Sequence, residues 1–98
     1  MPAYVIADTT VRDAAAFETY RSRAAASIHA HGGRYLVRGG TFTVLEGERQ
    51  PQTIIVVEFP DRATAERWYA SPEYAVALKV RDAALSRSLV LVDGVPVG

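Results

Sequence analysis

The sequence predicts an α+β domain, a four-stranded antiparallel sheet carrying its helices on one face. Three observations predict it. Strand-like and helix-like stretches follow one another in the order β-α-β-β-α-β over 98 residues. The second helical stretch is interrupted at Ser71-Pro72, so it reads as two pieces. Three strand-like runs, Ala3–Ala7, Thr53–Val57 and Ser88–Val92, are apolar on both faces, whereas a strand with one wet face alternates apolar and polar residues.

Each element has a local justification. The first strand spans about Ala3–Thr9 and is followed by Asp13, whose carboxylate suits the free amides of a first helical turn. Phe17, Tyr20, Ala24 and Ile28 then recur at spacings of three and four, the stripe of an amphipathic helix that ends at His31-Gly32-Gly33. A strand over Arg34–Arg38 runs into Gly39-Gly40, which reads as a bulge or bend, and resumes over Thr41–Glu46. After the Gly47–Pro51 loop the third strand continues to Phe59. Asp61 caps a short helix carrying Ala65, Trp68 and Tyr69. Ser71 and Pro72 restart it as N-cap and first helical residue, with Glu73 meeting the helix dipole and Tyr74, Leu78, Arg81 and Leu85 along one side. The last strand runs from about Ser86 to Asp93, and residues 94–98 form a tail. No repeat or linker divides the chain, so one domain over 1–98 is expected.

This order is the ferredoxin-like split βαβ. Helices on one side leave the other face of the sheet bare and aliphatic, a patch well above the ~300–600 Å² usual on a monomer. A second copy packed face to face covers it most economically, giving a symmetric homodimer. The competing reading is a monomer with hydrophobic central strands.

Composition excludes several function classes. Eleven basic and eleven acidic residues give a net charge of zero, which argues against a nucleic-acid footprint or an anionic-membrane patch. The exposed aromatics that RNA-binding sheets of this topology need on their central strands are missing. Cysteine is absent, removing disulfides, thiolate catalysis and thiolate metal sites, and fitting an intracellular protein. No apolar run reaches the ~20 residues that span a bilayer, and the N-terminus lacks the pattern of a signal peptide, so the expected location is cytoplasmic. The glycine pairs at 32–33 and 39–40 match no phosphate or dinucleotide loop, and no metal box or hydrolase triad spacing occurs.

Five segments, HGGRYLVRGG (31–40), VLEG (44–47), VVEFP (56–60), WYASPEY (68–74) and SLVLVDG (88–94), resemble the domain-of-unknown-function 1330 family, a likeness that covers nearly the whole chain from Tyr4 to Gly94. The resemblance implies a dimeric α+β barrel made of two ferredoxin-like protomers, and no established reaction. Fold relatives include cofactor-independent monooxygenases, small isomerases, haem-binding barrels and ligand-sensing domains, so fold does not convert to function.

The candidate site residues are His31, Arg38, Glu58, Trp68, Tyr74 and Arg81. His31 sits where a helix dipole favours imidazolium, as a candidate acid or base or simply a helix-end donor. Glu58 interrupts an apolar strand and needs a partner if buried; hairpin pairing through the 47–51 loop sets Thr41 roughly opposite it, and the Gly39-Gly40 bulge lets Arg38 approach as that partner, in a structural pair or a ligand site. Trp68 and Tyr74 flank the helix break as core or as pocket walls, and Arg81 lies on the face of Tyr74 or merely rests its stem on the surface. The expected function is a homodimer that binds a small molecule in each protomer. The first alternative is a cofactor-independent enzyme moving a proton through His31 or Glu58, and the second a structural dimer without a ligand. No cofactor or metal is expected; one histidine near a cavity falls short of a haem site.

Overall fold

The computed structural model describes residues 1–96; of the expected tail, residues 97 and 98 lie outside the described residues. The chain is a ferredoxin-like α+β fold: β1 (Ala3–Val11), α1 (Ala14–Ala30), β2 (Arg34–Arg38), β3 (Ile54–Phe59), α2 (Arg62–Tyr69), α3 (Pro72–Ala84) and β4 (Leu85–Asp93). The four strands lie in the order β2-β3-β1-β4, all neighbours antiparallel.

The helix starts follow from their caps. Asp13 accepts from the Ala16 amide at 3.0 Å, Asp61 from Thr64 at 2.7 Å and Ser71 from Tyr74 at 3.1 Å, each satisfying a first-turn donor that has no partner within its helix. Ser71 also donates to the Trp68 carbonyl at 2.7 Å, so one hydroxyl ends α2 and begins α3. At the end of α1, Gly32 takes φ +77°, and Gly33 N–H reaches the Ile28 carbonyl at 2.9 Å. This is the left-handed stop that glycine allows at no steric cost.

The sheet has two unlike faces. Ala3, Val5, Ala7 and Thr9 of β1, Val57 and Phe59 of β3 and Leu85 of β4 are buried against the helices. Tyr20, Ala24 and Ile28 of α1 meet them, with Trp68 of α2 and Tyr74, Ala77 and Ala84 of α3. On the other face Ile6, Val37, Val90 and Val92 are 37–55% exposed, beside Ile54 and Val56. The apolar residues on both strand parities therefore correspond to one packed face and one open one.

Four details depart from the sequence expectation. First, Thr41–Glu46 is not a strand. Gly39, at φ +72°, donates to the Ile54 carbonyl at 2.9 Å as the last rung of β2, and the chain then leaves the sheet edge with Phe42, Val44 and Leu45 exposed. The returning segment is held toward β1 instead: Asp8 accepts from the Gln52 amide at 3.0 Å and from Arg49 at 3.3 Å. The Gln52 amide, with Arg49, holds the Asp8 carboxyl below its usual range. Second, the bulge falls at Leu36, between the Tyr35–Val57 and Val37–Val56 pairs, and not at Gly39-Gly40. Third, Glu58 stands opposite Arg34, not Thr41. Fourth, the buried stripe of α3 is Tyr74, Ala77 and Ala84 in place of Tyr74, Leu78, Arg81 and Leu85, because Leu85 is already extended and opens β4.

Gly33 has no room for a side chain: a Cβ there would sit 2.7 Å from the Phe59 ring and 2.8 Å from Ile28 Cγ2, both in the core. Gly33→Ala is expected to cost about 1–3 kcal/mol by overpacking. Urea denaturation of the two proteins side by side measures it, and unchanged stability would mean that the α1–β3 contact yields.

Candidate functional site

Between α1 and the sheet the packing is incomplete. A cavity of about 270 Å³ lies there, open to one side. Its floor is Val5, Ala7 and Thr9 of β1 with Ile55 and Val57 of β3; Phe17, Tyr20, Ala24 and Ile28 of α1 roof it. The gap arises where small residues face one another, Ala7 on the sheet and Ala24 on the helix. Trp68 closes one side. Its indole N–H donates to Ser27 Oγ at 3.0 Å, and its ring lies 4.3 Å from Tyr74 and 5.3 Å from Phe59, so the wall is held on three sides.

The polar groups come from the two edge strands and two helices. Arg87, on the helix-facing parity of β4 with Leu85, Leu89 and Leu91, donates one terminal nitrogen to the Tyr20 hydroxyl and the other to the Tyr74 hydroxyl. The two phenols are themselves 2.8 Å apart and hydrogen-bonded. This cluster ties α1, α3 and β4 together at the cavity rim. Burial pushes the Tyr74 hydroxyl well above the ordinary tyrosine value, the neighbouring Tyr20 adds to the shift and Arg87 opposes it. Across the cavity Tyr35 of β2 carries the Arg38 guanidinium 4.5 Å over its ring. Burial raises the Tyr35 hydroxyl too, with Arg38 pulling the other way.

Of the six expected site residues, Arg38 and Trp68 line the cavity and Tyr74 stands at its rim through the Arg87 cluster. The other three lie elsewhere. Arg38 and Glu58 are on opposite sheet faces and form no pair: Arg38 is opposite the helix-facing Ile55, whereas Glu58 is on the open face, bonded to Arg34 at 2.8 Å. The Leu36 bulge causes this, since one extra residue turns Arg38 to the other side. His31 caps α1 with Nε2 buried, 3.6 Å from Glu73 Oε2, too far for a hydrogen bond. Arg81 pairs with Asp82 at 3.2 Å and lines a separate groove with Arg12, Tyr69 and Ser86. Sequence reasoning missed Arg87, Tyr35 and the site role of Tyr20. One signal was available: an arginine on the core-facing parity of a strand.

Chemically, the cavity offers an apolar slot, phenol hydroxyls and guanidinium groups from both edge strands. Tyr74 keeps its proton in the fold to a higher pH than in the unfolded chain. Above pH 10 the unfolded chain therefore releases a proton that the folded chain retains, and stability falls as pH rises. Tyr74→Phe is expected to cost about 1–3 kcal/mol at neutral pH, by leaving Tyr20 and Arg87 short of a partner, and to flatten that alkaline decline. Urea titrations of both proteins at neutral pH and above pH 10 check it; an equally steep decline in the variant would contradict the assignment.

Comparison with known proteins agrees with this architecture. The protein RPA0582 of Rhodopseudomonas palustris, of unknown function, is 19% identical, with a TM-score of 0.78 over 97% of this chain and 83% of that one. SnoaB of Streptomyces nogalater, a cofactor-independent oxygenase, is 18% identical, with a TM-score of 0.66 over 98% and 95%. A dimeric, ferredoxin-like protein of unknown function from Bacteroides fragilis is 16% identical, with a TM-score of 0.54 over 95% and 96%. At these identities the likeness is one of fold. No curated protein matches the chain. Residues 2–95 match the sequence profile of the domain of unknown function DUF1330, and the chain belongs to that family.

Proposed function

We propose that the protein is a homodimer in which each protomer binds one small molecule in the cavity between α1 and the sheet. The observation that carries this reading is the cavity itself: an apolar slot of about 270 Å³ with a few polar groups converging on it. That combination is the usual build of a small-molecule site, here at the small end of the range. The walls are fixed in advance by the caps at Asp13, Asp61 and Ser71, so a ligand meets a formed site.

The dimer half of the proposal rests on the open face. Ile6, Val37, Val56, Val90 and Val92 lie together on it, and a second copy of the same face is the simplest apolar cover. A Bacteroides fragilis protein of similar fold is dimeric, which supports a two-copy assembly. Among the described residues no helix is long and apolar enough to cross a membrane.

One observation favours an enzyme as the second reading. Tyr20, held with Tyr74 by Arg87, presents a hydroxyl beside positive charge at one point of a largely apolar cavity, an arrangement suited to a developing enolate or phenolate oxygen. SnoaB is a cofactor-independent oxygenase of similar fold. Because His31 and Glu58 stand outside the cavity, proton movement in this reading falls to the phenols.

Ala24→Phe separates a ligand-binding protein from a structural dimer. A ring at Ala24 fills the slot from the helix side, so the variant is expected to stay folded while losing the thermal shift that a metabolite library produces in the parent. A ligand at ~100 times its dissociation constant adds about 2.7 kcal/mol, a shift large enough to read. A library that moves neither protein, or both alike, would contradict a site in this cavity.

A further inference from the structure

The charge of the cavity wall indicates what it holds. Arg21, Arg38 and Arg87 line it and no aspartate or glutamate does, although the chain as a whole is neutral. Arg21 is paired with Glu18 at 2.9 Å. Among the described residues neither Arg38 nor Arg87 forms an ion pair, while Arg34, Arg49, Arg62 and Arg81 each have a carboxylate partner. Two guanidinium groups thus lie at one cavity with no protein anion between them.

Their placement is convergent. Arg38 comes from one edge strand and Arg87 from the other, on the same sheet face and one rung apart, since Arg38 is level with Ile55 and Arg87 with Thr9. The backbones are three strand spacings apart, about 14 Å, a span that two arginine side chains and a small planar ligand fill. Arg87 spends one hydrogen of each terminal nitrogen on Tyr20 and Tyr74, leaving Nε–H and a second hydrogen on each for another acceptor.

A proton count gives a further donor. Both phenol oxygens accept from Arg87, and their mutual bond uses one of the two hydroxyl protons. The other has no acceptor among the described residues. Tyr74 is completely buried, whereas Tyr20 lines the cavity, so the arrangement in which Tyr74 donates to Tyr20 leaves the Tyr20 proton for a ligand. Guanidinium and hydroxyl donors around an apolar, aromatic-walled slot match the carboxylate of a planar organic acid.

We infer that the ligand of this cavity is a small organic acid with a flat apolar body, its carboxylate held between Arg38, Arg87 and the Tyr20 hydroxyl. The inference rests on the cavity being a binding site, and the test separates the two. Trp68 is the only tryptophan and lines the cavity, so its indole ¹⁵N–¹H resonance reports occupancy alone. Titrations with trans-cinnamate and with its neutral isostere trans-cinnamamide are compared in the parent and in Arg38→Met, an exposed position where loss of charge leaves the fold intact. The inference expects cinnamate to bind at least about tenfold tighter than the amide, as a charge-assisted contact provides, with most of that margin lost in Arg38→Met. Equal affinity of the two compounds, or a margin unaffected by Arg38→Met, overturns the anion assignment and leaves the cavity as a site. Failure of both compounds to move the Trp68 resonance at millimolar concentration overturns both.

Discussion

The structure depends on a sheet that is apolar on both sides. Water rejects aliphatic surface roughly in proportion to area, at about 25 cal/mol per Å². A four-stranded sheet of this composition therefore needs two covers, and the chain supplies helices for one. The helix-facing side is closed by α1, α2 and α3 through Tyr20, Ile28, Trp68 and Tyr74, while Ile6, Val37, Val90 and Val92 remain open on the other. Cavity and open apolar face are thus two consequences of one pattern: the first is where the helix cover fails to fill, the second where there is no helix cover at all.

The incomplete filling is local and has a residue-level cause. Around Phe59, Trp68 and Tyr74 the core is tight enough that Gly33 tolerates no Cβ. Ala7 of the sheet and Ala24 of the helix, by contrast, line the slot that is left. Interiors are close-packed by default, so an open space bordered by aromatic walls and charged rims is informative in a way that a filled core is not. The Arg87–Tyr20–Tyr74 cluster serves both structure and chemistry. It fastens two helices to an edge strand, and its donors outnumber the acceptors the protein provides.

Much of the fold was legible because its signals are local. Asp13, Asp61 and Ser71 cap the helices they were expected to cap, and Gly32 ends α1 in the left-handed conformation. What was not legible depended on partners distant in sequence. Thr41–Glu46 alternates like a strand, but a strand needs an edge to pair with, and Asp8 draws the returning chain toward β1 instead. The position of a bulge is likewise set by cross-strand register, and moving it from Gly39-Gly40 to Leu36 turned Arg38 from Glu58 to the cavity. The candidate site was correspondingly half visible. Trp68, Tyr74 and Arg38 were found by residue type, whereas Arg87 was legible only through the parity it shares with Leu85, Leu89 and Leu91.

The two-sided sheet makes one demand that a single physical quantity decides. Sedimentation equilibrium at micromolar concentration is predicted to give a particle of twice the 10.6 kDa chain mass. Ile6→Lys, which places a charge at the centre of the open face, is predicted to give a folded particle of single-chain mass. A parent protein that sediments as a stable single chain, with Ile6→Lys indistinguishable from it, would contradict the account.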